Sequence, residues 1–231
     1  SKAVMRLVIP LVQKLLIPWI IPKKEFTKFG IHTKDIIHYK AIDAAVITKR
    51  KILKNSNRPA KKEKSKTILI RVEEEEASYS SKKRPVVPII KEIIRNFHNE
   101  KIVIMTRYSS QARDLAQTFG NKIKILDKAV DGKTLLNSAN VFIGSGGTMT
   151  AESALLGIPT ISYNAVPNII EAYLVRKKLV VRKGNPRQIA ISVRKLLDSP
   201  NLEIKKRAKK MLDSMEDPYP ILLKTIKSIL K

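Results

Sequence analysis

The 231 residues contain no cysteine, which excludes a disulfide framework, a thiolate metal site and a thiol nucleophile. Such a chain fits a reducing compartment, and the expected location is the cytoplasm. Histidine is scarce, and His32, His38 and His98 lie too far apart in sequence to suggest a metal centre by spacing. No cofactor and no metal site is expected from these residue types, while magnesium shared between carboxylates and substrate phosphates stays open. Aromatic residues make up only 5% of the chain, so the stacking platforms that single-strand binders interleave with basic clusters are largely missing. Acidic residues are outnumbered, with 20 Asp and Glu against 46 Lys and Arg, giving a net charge of +26. Residues 1–66 alone hold 17 Lys and Arg against four Asp and Glu. A field of that sign attracts polyanions, whether nucleic acid, an anionic membrane surface or phosphorylated sugars, without choosing among them.

Uninterrupted apolar runs of membrane-spanning length are also lacking. Residues 3–22 come nearest, but Arg6, Gln13 and Lys14 interrupt them and Pro10 and Pro18 break their helix. No small-residue cleavage site makes the stretch a signal peptide. Three readings stay open: an element docked on a further domain, an interfacial segment anchored by Trp19 near Lys23 and Lys24, or a true span. What the chain has in plenty is Ile, Leu and Val. Its 43% apolar content suffices for the core of one large or two small domains.

From Thr67 onward, apolar runs alternate with amphipathic stretches. Strands are expected at 68–72, 102–105, 123–126, 141–143, 160–163 and 179–181. Helices are expected at 85–97, from Ser109 or Ser110 to 119, and at 133–138, 148–156, 167–175, 186–197, 202–211 and 219–230. Strands separated by helices of this length imply βαβ units and a parallel sheet. The fold class is therefore α/β, a doubly wound, Rossmann-like parallel sheet. Lys51 to Lys66, rich in Lys, Asn and Pro, reads as a basic linker or loop. The expected divisions are 1–50, 51–66, 67–216 and a closing helix at 217–231.

Between Ile143 and Glu152 the sequence reads strand, glycine loop, helix: Gly144, Ser145, Gly146, Gly147, Thr148, Met149. A tight strand-to-helix turn aims backbone N–H groups and the positive end of a helix dipole at one point, which suits a phosphate. Glycine lets the backbone approach that phosphate, and Ser145, Thr148 and Thr150 offer hydroxyl donors. Glu152, one turn beyond Thr148, would accept from ribose hydroxyls. Arg71, Arg107, Asp127, Tyr163 and Asn164 follow other strand ends and would converge on the same edge of the sheet. Two arginines there would hold phosphates or a carboxylate.

These residues carry a resemblance. Ser145-Gly146-Gly147-Thr148, Glu152 and Gly157-Ile158-Pro159 resemble the donor-binding segment of GT-B glycosyltransferases such as the one that adds N-acetylglucosamine to lipid-linked muropeptide. They are similar also to non-hydrolysing UDP-N-acetylglucosamine 2-epimerases. Leu136 to Asn140 with Gly144 to Met149, together with Arg71, Arg107, Gln111 and Asp131-Gly132, resembles an uncharacterised, mainly archaeal family of the GT-B superfamily. The resemblance implies the carboxyl-terminal half of a GT-B fold with remnants of the amino-terminal domain in residues 1–50, so that the chain as given is a fragment. It implies a nucleotide-sugar partner, UDP- or GDP-linked, bound through Gly144 to Met149, Glu152, Arg71, Arg107, Tyr163 and Asn164. It also implies transfer without a metal, and a last helix crossing back to the first domain. His32 and His38 would lie near the interdomain crossover, facing either the cleft or the surface. No general base can be named, and a polar residue near Glu171 would contact the donor sugar. Two alternatives stand beside a glycosyltransferase: a sugar-nucleotide epimerase, and a non-catalytic module binding nucleic acid or a membrane surface, peripheral at the membrane.

Overall fold

The computed structural model describes residues 2–50, 65–73, 86–126, 131–163 and 166–230. The first described stretch divides early. Helix α1 (Lys2–Val8) gives way to a 3-10 turn at Ile9–Leu11, where Pro10 removes a helical donor, and β1 (Leu15–Pro18) follows. No helix among the described residues is long and apolar enough to cross a membrane. After α2 (Lys24–Thr27), β2 (Ile36–Tyr39) pairs in parallel with β1 to make a two-stranded sheet over Ile9, Ile17, Ile31 and Ile36. Helix α3 (Asp43–Lys49) then leads out of this unit.

The rest of the chain builds a sheet from β3 (Thr67–Arg71), β4 (Lys101–Met105), β5 (Lys124–Leu126), β6 (Val141–Gly144), β7 (Thr160–Ser162) and β8 (Val180–Arg182). All neighbours are parallel, in the order β5-β4-β3-β6-β7-β8. The chain starts in the middle, runs out to β5, then returns across β3 to build the other half, so the order reverses between β3 and β6. Helices α4 (Val86–Asn96), α5 (Ser109–Phe119), α6 (Gly132–Asn137), α7 (Gly147–Leu155), α8 (Ile169–Arg176) and α9 (Pro186–Asp198) connect or follow these strands. The doubly wound, Rossmann-like expectation holds.

Both faces of the sheet are covered, which is why its central strands read as unbroken apolar runs rather than alternating ones. Ile68 and Ile70 of β3 pack with Ile104, Ile143 and the inner faces of α4, α5 and α9. Leu69, Val103 and Phe142, pointing the other way, pack with Leu135 and Leu136 of α6. A third cluster joins α3, α7 and α8 to α10 (Leu202–Asp213) and α11 (Tyr219–Ile229). The carboxyl-terminal segment is tied to the stretch from Lys40 through α3: Glu216 N–H donates to the Lys40 carbonyl at 3.0 Å and Lys49 Nζ to the Met215 carbonyl. Lys133 Nζ adds bonds to the carbonyls of Thr48 and Arg50, at 2.7 and 2.8 Å. Helix α3 is thereby held against α7, beside the glycine loop.

Candidate functional site

The reversal of strand order opens a crevice beyond the carboxyl ends of β3 and β6, the place where doubly wound sheets take ligands. Arg71 closes β3 and Gly144 closes β6. The chain then turns through Ser145 and Gly146 into α7. Gly146 has φ 89° and Gly147 φ 79°, conformations that L side chains rarely adopt, so glycine is required at both for the turn itself. A Cβ on Gly147 would meet no atom within 4 Å, so the space over the loop is open. The first N–H groups of α7 lack intrahelical acceptors, as at any helix start, and point into that space.

Gly144 is required for a different reason. A Cβ there would lie 2.6 Å from Phe142 Cε1 and 2.7 Å from Thr150 Oγ1. Thr150 is buried and its hydroxyl donates back to the Gly146 carbonyl at 2.9 Å. It locks the loop and is not the ligand donor expected from the sequence. Ser145 is half-buried and Thr148 exposed at the mouth. Met149 packs against the cluster of Leu69, Leu136 and Phe142.

Glu152, half-buried on α7, lies within electrostatic reach of Arg71 and Asp131. Burial raises its carboxyl above the ordinary value, Asp131 adds to the rise, and Arg71 opposes it. Asp131 caps α6 by accepting from the N–H and hydroxyl of Thr134, both at 2.8 Å, and those bonds hold its own carboxyl below the usual range. Glycine loop, Arg71, Glu152 and Asp131 therefore share one edge.

Tyr163 does not join them. It is fully buried, and its hydroxyl donates to Glu73 Oε2 at 2.5 Å, with the Arg71 carbonyl 3.1 Å away. Burial pushes its phenol far up, and the neighbouring Glu73 adds to that. Tyr163 is thus a clamp beneath the site rather than a ligand contact. The clamp extends through Gln111, buried to 1% exposure, which donates to the Glu73 carbonyl at 3.0 Å and accepts from the N–H groups of Arg107 and Tyr108. Arg107 itself is exposed at the end of β4. Asn164 and Asp127 lie outside the described residues.

A cavity of about 150 Å³ sits beside the loop, between Ile42 and Asp43 at the start of α3, Thr148 of α7, and Asn168 and Glu171 at the start of α8. Glu171 is 3% exposed; Oε1 accepts from the Ser162 hydroxyl at 2.5 Å, and Oε2 receives no hydrogen bond among the described residues, with Arg182 Nη2 3.6 Å away. On the facing wall Tyr39 donates to Asp43 at 2.6 Å. His32 and His38 are exposed, His38 against the Ile21 carbonyl, and neither lines this cavity. Residue type and spacing left out Asp43 and Ser162. Among the described residues no group of three or more His, Cys, Asp or Glu is placed to hold a metal.

Comparison with known proteins agrees with this architecture. A family model described as "Protein of unknown function (DUF354)" matches residues 1–231. An uncharacterized protein of Methanocaldococcus jannaschii, MJ0665, is 30% identical over 114 residues, 49% of this chain and 33% of that protein. Among solved structures, the Staphylococcus aureus MnaA-UDP co-structure superposes with a TM-score of 0.72 at 16% identity, covering 97% of this chain and 63% of that one. The UDP-GlcNAc 2-epimerase of Neisseria meningitidis bound to UDP-GlcNAc gives 0.64 at 19% identity, over 96% of this chain and 63% of that one. Glycosyltransferases of the same GT-B architecture occur among the neighbours. At these identities the likeness establishes the fold, and the chain spans less than two thirds of the proteins it matches.

Proposed function

Because the chain belongs to the family described as protein of unknown function, DUF354, we propose its role from the site itself: it binds a nucleotide sugar through the diphosphate. The observation that carries this reading is the open glycine loop at the strand-order reversal, with Arg71 and a half-buried Glu152 on the same edge. The diphosphate seats over Ser145 to Thr148, where helix N–H groups and Arg71 oppose its charge, and Glu152 accepts from the ribose hydroxyls. The cavity at Asp43 and Glu171 receives the sugar, and Glu171 Oε2 supplies an acceptor for one of its hydroxyls. Neighbours of the same architecture have been solved with UDP and with UDP-GlcNAc, which supports the ligand class.

Glycosyl transfer of the GT-B type follows from this placement, because donors fixed at a helix start stabilise the charge that develops on a departing diphosphate. A sugar-nucleotide epimerase is the second reading, supported by the two carboxylates of the cavity wall and by the solved epimerase. The reaction runs in the cytoplasm. Its acceptor side is an anionic membrane surface or lipid-linked acceptor, met by the exposed Leu222, Leu223, Ile226 and Ile229 of α11 beside Lys227.

Calorimetric titration with UDP, GDP, CDP and UDP-N-acetylglucosamine tests the proposal, using the chain and its Gly147→Asp variant. Aspartate tolerates positive φ better than most residues but sets a carboxylate where the phosphate would sit. Micromolar binding of one nucleotide, weakened at least tenfold in a variant with an unchanged circular dichroism spectrum, is expected. Binding of none, or binding indifferent to the substitution, overturns it.

A further inference from the structure

At the other end of the sheet a second concavity, about 1110 Å³, opens between the carboxyl-terminal ends of α4 and α5. Its floor is apolar, formed by Ile102 and Ile123 where β4 and β5 begin, with Phe97 and Phe119 beside them. Its walls are basic. Lys91, Arg95 and His98 stand on the α4 side, and Lys122 and Lys124 on the α5 and β5 side.

Lys91, Arg95, Lys122 and Lys124 are all exposed, and none of their side chains has an ion pair or hydrogen bond with a described residue. The one carboxylate in the lining, Glu100, is mostly covered and lies 3.7 Å from Arg194, whose guanidinium stacks on Phe97. Neutralising the negative ends of α4 and α5 would account for Arg95 and Lys122. It does not account for Lys91, more than a turn inside α4, or for Lys124, on a strand.

We propose that this groove binds single-stranded nucleic acid through its phosphate backbone, without reading sequence. A cleft lined by one sign of charge over a low-dielectric floor focuses the field and concentrates the counter-charge inside it. Cations on two facing walls grip a strand from both sides, which a flat bilayer cannot enter to exploit. Neither phenylalanine ring of the lining stands free as a stacking platform, since Phe97 and Phe119 are buried and Arg194 covers Phe97, so charge supplies the affinity. The proposal is independent of the nucleotide-sugar reading, because the groove and the glycine loop lie at opposite ends of the strands.

Fluorescence anisotropy with a labelled oligo(dT) 20-mer tests it, across a salt series. Two variants of equal charge change are compared: Lys91→Gln/Arg95→Gln/Lys122→Gln/Lys124→Gln in the groove, and Lys205→Gln/Lys206→Gln/Lys209→Gln/Lys210→Gln on the exposed basic face of α10. Each backbone contact contributes about 0.7 to the logarithmic salt slope of a single strand, so four lost contacts should flatten it by about 3. We expect the groove variant to lose at least tenfold in affinity at 100 mM salt with that change of slope, and the α10 variant less than threefold. Unchanged melting temperature and nucleotide titration in both variants would show that the fold is intact. Equal losses in the two variants, a larger loss in the α10 variant, or no saturable binding to the wild type at 50 mM salt overturns the assignment. So does stronger competition by inorganic polyphosphate or by phosphatidylserine vesicles than by unlabelled oligo(dT).

Discussion

Removing the Tyr163 hydroxyl separates a structural clamp from a ligand contact. In Tyr163→Phe the ring keeps its place among Ile161, Ile189 and the α4 side chains, so little packing is lost. What disappears is a 2.5 Å bond to the carboxyl of Glu73, which is only 9% exposed and among the described residues has one other partner, the Val86 N–H at 3.4 Å. A hydrogen bond to a charged group contributes about 1.5–3 kcal/mol, and burial keeps water from replacing it. For a chain of this size each kcal/mol moves the melting temperature by about 2–4 °C, so the variant should melt about 3–12 °C lower. The phenol is fully buried and bonded to Glu73, and nucleotide affinity measured well below the melting point should change by less than threefold. Calorimetric melts and titrations on the same preparations read both. An unchanged melting temperature together with a tenfold loss of affinity would refute the clamp and return Tyr163 to the ligand.

Glu152→Gln should act in the opposite sense on stability. The folded-state value of this carboxyl is raised by burial and by Asp131, so its contribution to stability is present below the ordinary carboxylate range and lost as pH rises through the folded value. At neutral pH the ionised group therefore costs stability, and the amide should melt higher than wild type at pH 7.5, with the gain fading by pH 4; a lower melting temperature at pH 7.5 contradicts this. Gly144→Ala brings a Cβ within 2.6 Å of Phe142 and 2.7 Å of Thr150, an overpacking that costs about 1–3 kcal/mol. It should also weaken nucleotide binding by displacing the Thr150 lock, whereas Gly184→Ala, with no atom within 4 Å of the new Cβ, should leave melting and binding alike. Equal behaviour of the two variants would sink the argument from close approach.

The large sheet was legible because strands buried on both faces must be apolar throughout, and Ile68-Leu69-Ile70, Ile102-Val103-Ile104 and Val141-Phe142-Ile143 have few other uses. The β1-β2 pair was not, because Leu15–Pro18 sits inside a longer apolar stretch whose composition does not mark where helix stops and strand starts. The glycine loop was legible because its cause is local: a strand end meeting a helix start. The residues around it depend on which face a side chain takes, and there the error had a readable signal. Alternation from Ile161 puts Tyr163 on the α4 and α9 face and leaves Ser162 for the other, where Glu171 meets it. Glu171 shows the limit of such reasoning. Asn168 and Glu171 have the spacing of a capping box, in which the glutamate returns to the backbone at the rim of its helix. Asn168 does accept from the Glu171 N–H at 2.8 Å, yet Glu171 Oε1 is spent on the Ser162 hydroxyl. The pull comes from β7, ahead of Glu171 in the chain, and it acts only once α8 has docked at the sheet's carboxyl edge. A local capping pattern cannot encode that choice, because only the packed sheet supplies the hydroxyl that draws the carboxylate away from its own helix start.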